Sequence, residues 1–147
     1  MTTDPNCIFC KIIKGDIPTF KVYEDDNVLA ILDIRPVTRG HTLVIPKIHI
    51  DHFMDLPDSL AAHIVKVGNQ ISRRLRDVVR PDRVGVVVAG YGVAHVHYHV
   101  IPMQHTQDIT SRAYAFIEDG QIQFDAMRPP IASEEDRREM VQEIGLI

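Results

Sequence analysis

The sequence predicts an α+β fold in a single domain. Short apolar runs with strand-like patterning are separated by Pro, Gly and acidic turns, and one long stripe among them has helical spacing. The length of 147 residues is enough for one buried core, and no repeat, low-complexity tract or linker divides it.

Taken in order, Ile8 to Lys14 follow Cys7 as a short helix with one apolar face, ended by Gly15. Phe20 to Tyr23 and Val28 to Asp33 read as strands joined by the turn Glu24-Asp25-Asp26-Asn27. A loop punctuated by Pro36 and Gly40 leads to a third strand, His41 to Pro46, and a short helical turn over Ile50 to Leu56. The longest helix is expected from Asp58 to Val79. Leu60, Ile64, Val67, Ile71, Leu75 and Val78 recur every three or four residues, Asp58 or Ser59 can cap it, and Pro81 stops it. Its second stripe, Ala61, Val65, Gly68 and Ser72, is small or apolar and predicts close approach of another helix, from this chain or a second subunit.

Val84 to Ala89 is valine-rich and reads as a strand, broken by Gly90-Tyr91-Gly92 before a further strand that carries three histidines. Residues 104–121 read as polar and irregular, with Tyr114-Ala115-Phe116 set to pack across a site or a partner. Ser133 with Asp136 three residues later resembles a capping box, opening a final helix to about Ile144.

Composition narrows the function classes. Apolar residues are 45% and charged ones 24%, the net charge is −4, and no Lys/Arg block appears. This argues against a nucleic-acid footprint and for an enzyme acting on small molecules. Met1 to Asn6 is polar without an apolar h-region, and no apolar run reaches membrane-spanning length, so the expected location is cytoplasmic. There the two cysteines are expected as thiols or metal ligands rather than a disulfide.

The chemistry concentrates in His95-Val96-His97-Tyr98-His99. On a strand these imidazoles share one face. They span roughly 13 Å from first to last, too far for all three to meet one metal. A central nucleophile, His97, flanked by two orienting histidines is one reading; three half-exposed histidines on a polar sheet face is the plainer one. Cys7-x-x-Cys10 leaves a redox pair, half a zinc site or packed thiols open. Zinc would need two further ligands from His49, His52 and His95. Asp33, ending an apolar strand, is placed either to accept ribose hydroxyls or simply to face solvent. Arg35, Arg39 and Lys47 surround the 36–41 loop, as phosphate-attracting or merely solvated cations.

His95 to Ile101 has the pattern His-φ-His-φ-His-φ-φ and closely resembles the histidine triad (HIT) superfamily. Cys7-Ile8-Phe9-Cys10-Lys11-Ile12, Tyr23 to Asp26, Leu29 to Pro36 and Gly40 to Lys47 resemble family segments in the family's order, covering about Cys7 to Met103. The single-domain Hint-like branch is the best match. The resemblance implies a HIT-like α+β fold, an antiparallel sheet of about five strands with one long helix and short terminal helices, as a two-fold homodimer. It implies a HIT domain over 7–110, with 111–147 an extension packed on it. The implied activity is hydrolysis or transfer at the α-phosphorus of nucleotide conjugates through a nucleotidyl-histidine; a binding or interaction module with little turnover is the alternative.

The resemblance assigns His97 as nucleophile, with His99 and His41 orienting it or the phosphate, and Asp33 at the ribose. Phe9, Ile12, Ile31, Leu32 and Ile34 would line the base cleft. A structural zinc would sit on Cys7, Cys10, His49 and His95. One departure stands out: Val86 to Ala94 lacks the Asn and the Ser or Gln that many relatives place there, leaving the backbone N–H groups near Gly90 to Val93 to cradle an oxyanion.

Overall fold

Strand alternation over residues 28–32 organises the molecule: Val28, Ala30 and Leu32 join one apolar cluster, while Leu29 and Ile31 join another. All five residues are buried, so the sheet is covered on both faces along this strand. The computed structural model describes residues 3–109, 114–125 and 127–147. In order they form α1 (Ile8–Lys14), β1 (Lys21–Glu24), β2 (Val28–Leu32), β3 (Thr42–Pro46), a 3₁₀ turn (Phe53–Asp55), α2 (Asp58–Val78), β4 (Arg83–Val87), β5 (Tyr98–Met103), β6 (Ala115–Glu118), β7 (Gln121–Phe124) and α3 (Glu134–Ile144).

The first five strands make one antiparallel sheet in the order β1-β2-β3-β5-β4. With the long helix and short terminal helices, this is the α+β architecture the sequence predicts. Ile64, Val67, Ile71 and Leu75 of α2, with Met140 and Ile144 of α3, bury against one face. On the other face α1 supplies Phe9 and Ile12, packed with Leu29, Ile31, Leu43 and Ile45. Among the described residues no helix is long and apolar enough to cross a membrane.

Several details differ from the sequence reading. Pro57, not Asp58 or Ser59, is the residue before α2, and no side chain caps its first turn. Proline's fixed φ sets the helix direction there, and Asp58 lies inside the first turn where the dipole favours a negative charge. Within the chain, Gly68 on the small stripe of α2 lies against the ring of Tyr98 on β5. Val65 on the same stripe is exposed.

The segment read as irregular, 104–121, holds β6 and the turn of a hairpin that β7 completes. Its turn is Asp119-Gly120, both with positive φ (50° and 74°), the conformation a type I′ turn requires. That dipeptide, between Ala115 to Glu118 and Gln121 to Phe124, was the available signal. Ala115 pairs with Phe124 and Ile117 with Ile122, giving the hairpin one apolar face. At α3, Ser133 Oγ accepts the N–H of Asp136 at 3.1 Å. The capping box stays half closed because Asp136 turns its carboxylate to Arg39, 2.6 Å away.

A Cβ at position 68 would stand 2.6 Å from Tyr98 Cε1. Ala ordinarily strengthens a helix by up to about 1 kcal/mol over Gly. Here the clash should prevail, and Gly68→Ala should lose about 1–2 kcal/mol in urea unfolding, the usual scale of overpacking. A gain in stability would show that the Tyr98 ring yields freely.

Candidate active site and metal cluster

The two-faced sheet sorts the histidine segment. Regular pairing in β5 starts at Tyr98, so His95, in a bend, and His97 lie on the approach to the strand and only His99 lies within it. Alternation still holds: Val96, Tyr98 and Val100 bury in the α2-side core. The His97 and His99 rings lie 5.0 Å apart, and Phe9 of α1 lies 5.4 Å from the His97 ring. His99 pairs with Leu43, which pairs in turn with Ile31, so the row continues across the sheet on the α1 side.

At the amino-terminal end of the row, Cys7, Cys10, His49 and His95 bring four donor atoms within 4.8 Å of one another. His95 Nδ1 lies 3.5 Å from Cys7 Sγ and 3.7 Å from Cys10 Sγ, and His49 Nδ1 lies 3.4 Å from Cys10 Sγ. Zn–S and Zn–N bonds of about 2.3 and 2.05 Å at a tetrahedral angle separate sulfur and nitrogen by about 3.6 Å. The spacing therefore fits a tetrahedral metal, and this Cys₂His₂ cluster could bind one. His95 Nε2 donates to the carbonyl of Pro46 at 2.9 Å, which leaves the Nδ1 lone pair toward the sulfurs. Burial pushes the Cys10 thiol above its ordinary pKa, whereas a reactive redox cysteine needs it lowered. His52 stands apart, exposed beside Asp51.

The other end of the row has a different character. His97 Nδ1 lies 2.6 Å from the carbonyl oxygen of His95. A carbonyl only accepts, so Nδ1 carries the proton and Nε2 keeps a free lone pair. His99 Nδ1 lies 2.9 Å from His41 Nε2, and the other His41 nitrogen faces Val37 N at 3.2 Å and Asp33 Oδ2 at 3.6 Å. Burial holds the His41 pKa down to about 3. Burial, then the charges of His41 and His97, does the same for His99, also to about 3. Both rings are neutral at physiological pH.

Phe9, Ile12 and Ile31 lie together in the α1-side cluster. Asp33 follows β2, its Oδ1 accepting Arg35 N at 2.8 Å. Ile34 is 53% exposed at the rim. Leu32 is not brought into this group: it points into the α2-side core, as the parity of the strand demands. The three cations read as phosphate attractors are engaged within the chain. Arg35 donates to the carbonyls of Met127 and Pro129, Arg39 pairs with Asp136, and Lys47 pairs with Glu24. Sequence reasoning missed the amide of Val37, which no residue type signals. Tyr114 is drawn into the site's electrostatics: burial and then the charge of Asp33 raise its phenol pKa.

Comparison with known proteins agrees with this geometry. The chain matches the HIT domain over residues 14–106. It is 50% identical over 102 residues to the protein hit of Bacillus subtilis, covering 66% of this chain and 70% of the relative. It is 41% identical over 106 residues to an adenosine 5′-monophosphoramidase of Saccharomyces cerevisiae, covering 69% and 65%. A crystal structure of a zinc-bound histidine triad family protein from Mycobacterium smegmatis superposes with a TM-score of 0.69 at 34% identity, covering 95% of this chain and 93% of that one.

The neutral His41–His99 pair sets a pH dependence. Unfolded histidines titrate near 6.5, whereas these two stay unprotonated down to about 3 in the folded chain. Between those values the unfolded state binds more protons, so stability falls as pH drops from about 6.5. His41→Asn should flatten that slope by about one proton, on the order of 1.4 kcal/mol per pH unit. Urea unfolding of both proteins from pH 6.5 to 4.5 measures it; parallel slopes would mean that His41 ionises normally.

Proposed function

The chain belongs to the HIT family, and on that premise we propose that it is a nucleotide-binding hydrolase or transferase acting at the α-phosphorus of nucleotide conjugates, either phosphoramidates or nucleotidyl esters. The observation that carries the proposal is the bond from His97 Nδ1 to the His95 carbonyl, which turns the Nε2 lone pair into a ready nucleophile. In this reading Nε2 attacks phosphorus, and the bond to the amine or alcohol breaks. The departing group takes the electron pair and draws its proton from solvent water. The positive charge gained by the ring is met at Nδ1–H by the carbonyl dipole already aimed at it. Water, or another acceptor such as phosphate, then cleaves the phosphorus–nitrogen bond and frees the nucleotide.

His41 and His99 orient the phosphate, and Asp33 accepts the ribose hydroxyls. Phe9, Ile12, Ile31 and Ile34 contact the base, a role supported by their position along α1 and the end of β2. Leu32 supports that strand from its other face. Cys7, Cys10, His49 and His95 hold a structural zinc, supported by the tetrahedral spacing of their donors. The ion would tie α1 to the approach of β5, away from the reacting phosphorus. Residues 7–110 form the catalytic unit and 111–147 an extension packed on it, supported by the contacts of α3 with α2 and β1. A homodimer is part of the same reading, supported by exposed Val65 on α2 and Val86 on the edge strand β4.

The monophosphoramidase relative makes adenosine phosphoramidates the first substrates to try. His97→Ala should lower kcat/KM by at least about 10⁴-fold, the scale of removing a nucleophile, while nucleotide affinity changes little. Intact mass measurement during turnover should catch a nucleotidylated chain that the variant never forms. Unchanged turnover in His97→Ala would sink the mechanism, and binding without turnover across purine and pyrimidine conjugates would leave a binding module.

Elemental analysis should find one zinc per chain. Cys10→Ser should lose the ion and melt at lower temperature. Metal-free protein with reactive thiols would overturn the zinc site.

A further inference from the structure

We propose that the backbone N–H of Val37 fixes the tautomers of His41 and His99, so that His99 meets its ligand with a proton on Nε2. The argument follows hydrogen positions along a chain of three groups. Val37 N–H can only donate, and its partner is His41 Nδ1 at 3.2 Å. A ring nitrogen that accepts carries no proton. His41 is 1% exposed and its ring is neutral, so its single proton lies on Nε2. That nitrogen faces His99 Nδ1 at 2.9 Å and donates to it. Neutral His99 must then carry its own proton on Nε2.

The opposite arrangement has a specific competitor. Asp33 Oδ2 lies 3.6 Å from His41 Nδ1, beyond hydrogen-bond range but on the same side of the ring. A proton on Nδ1 would serve Asp33 and leave Val37 N–H pointing at another N–H inside the protein. The chain would then reverse, with His99 Nδ1 donating to His41 and His99 Nε2 becoming a bare lone pair. An unsatisfied, partly buried amide disfavours that state by about tenfold. One main-chain amide thus decides whether His99 offers a proton or a base.

With Nε2–H fixed, His99 is a donor to an anionic oxygen and cannot deprotonate a nucleophile. For a phosphoryl group the donor would stabilise negative charge on a non-bridging oxygen; this last step rests on the function proposed above, whereas the tautomers do not. Val37 is therefore a positioning residue that acts through two imidazoles without touching the ligand.

Long-range proton–nitrogen correlation NMR on ¹⁵N-labelled protein near pH 7 reads the tautomers directly, with His41→Asn to assign the signals. The expected spectrum has His41 and His99 both protonated at Nε2 and bare at Nδ1. A proton on His41 Nδ1 overturns the inference, whether or not the chain turns over any nucleotide. The Val37 amide should also exchange with solvent at least about tenfold more slowly than an open loop amide, and exchange at the open rate overturns its role.

Val37→Pro removes the N–H and should lower the preference for His41 Nε2–H at least about tenfold, whereas Val37→Ala keeps both the N–H and the wild-type spectrum. A folded Val37→Pro protein with the wild-type tautomers overturns the assignment to Val37. If the tautomers stand and no conjugate is turned over, the functional proposal fails alone.

Discussion

The site depends on one constraint: a strand sends neighbouring side chains to opposite faces, and here both faces are buried. Val96, Tyr98 and Val100 are held by α2, so the intervening histidines have no choice but the α1 side. There they lie among apolar groups, with water largely excluded. Imidazoles in such a place must find their hydrogen bonds inside the protein. The carbonyls of Pro46 and His95 and the amide of Val37 meet that need. Each of those main-chain groups also settles which ring nitrogen carries a proton. Packing and chemistry are therefore one arrangement rather than two.

Much of this was legible in the residues. The alternation of 95–100, the period of α2 and the breaks at Pro81 and Gly15 are local signals, and each reappears at nearly the expected boundary. The Cys-x-x-Cys segment left half a zinc site among its readings, and the fold brings His95 to Cys7 from 88 positions away. Leu32 shows where the reading failed. Its neighbours Ile31 and Asp33 belong to the α1 side, so strand parity already excluded it from that cleft. The β6–β7 hairpin was missed although Asp119-Gly120 named the turn and apolar residues alternate along both short strands. The engaged state of Arg35 and Arg39 was not legible, because their partners lie about 90 to 100 residues away in the carboxy-terminal part.

Those two arginines give the carboxy-terminal arm its bearing on the site. Arg35 holds the Met127 and Pro129 carbonyls, the amide of Ala132 donates to the Ile34 carbonyl, and Arg39 gathers Asp136, Glu139 and Glu143. Ion pairs this exposed contribute little individually. Their effect is geometric: they fasten the 34–39 loop between Asp33 and His41 from outside, while Thr38 Oγ, bonded to the Pro102 carbonyl, fastens it to β5. The Val37 amide belongs to that loop, so its aim at His41 is braced from both sides.

The distance in sequence between Cys7 and His95 has a consequence for how the chain comes together. A bridge at that cluster closes a loop of 88 residues. In the chain-entropy treatment of cross-links, closing a loop of that length restricts the unfolded ensemble by on the order of 4–5 kcal/mol. The two cysteines are only three residues apart, whereas His49 follows β3 and His95 precedes β5, so the four donors meet only where β3 and β5 pair. An ion on these four side chains would act as a cross-link whose span in sequence sets much of what it adds to the folded state.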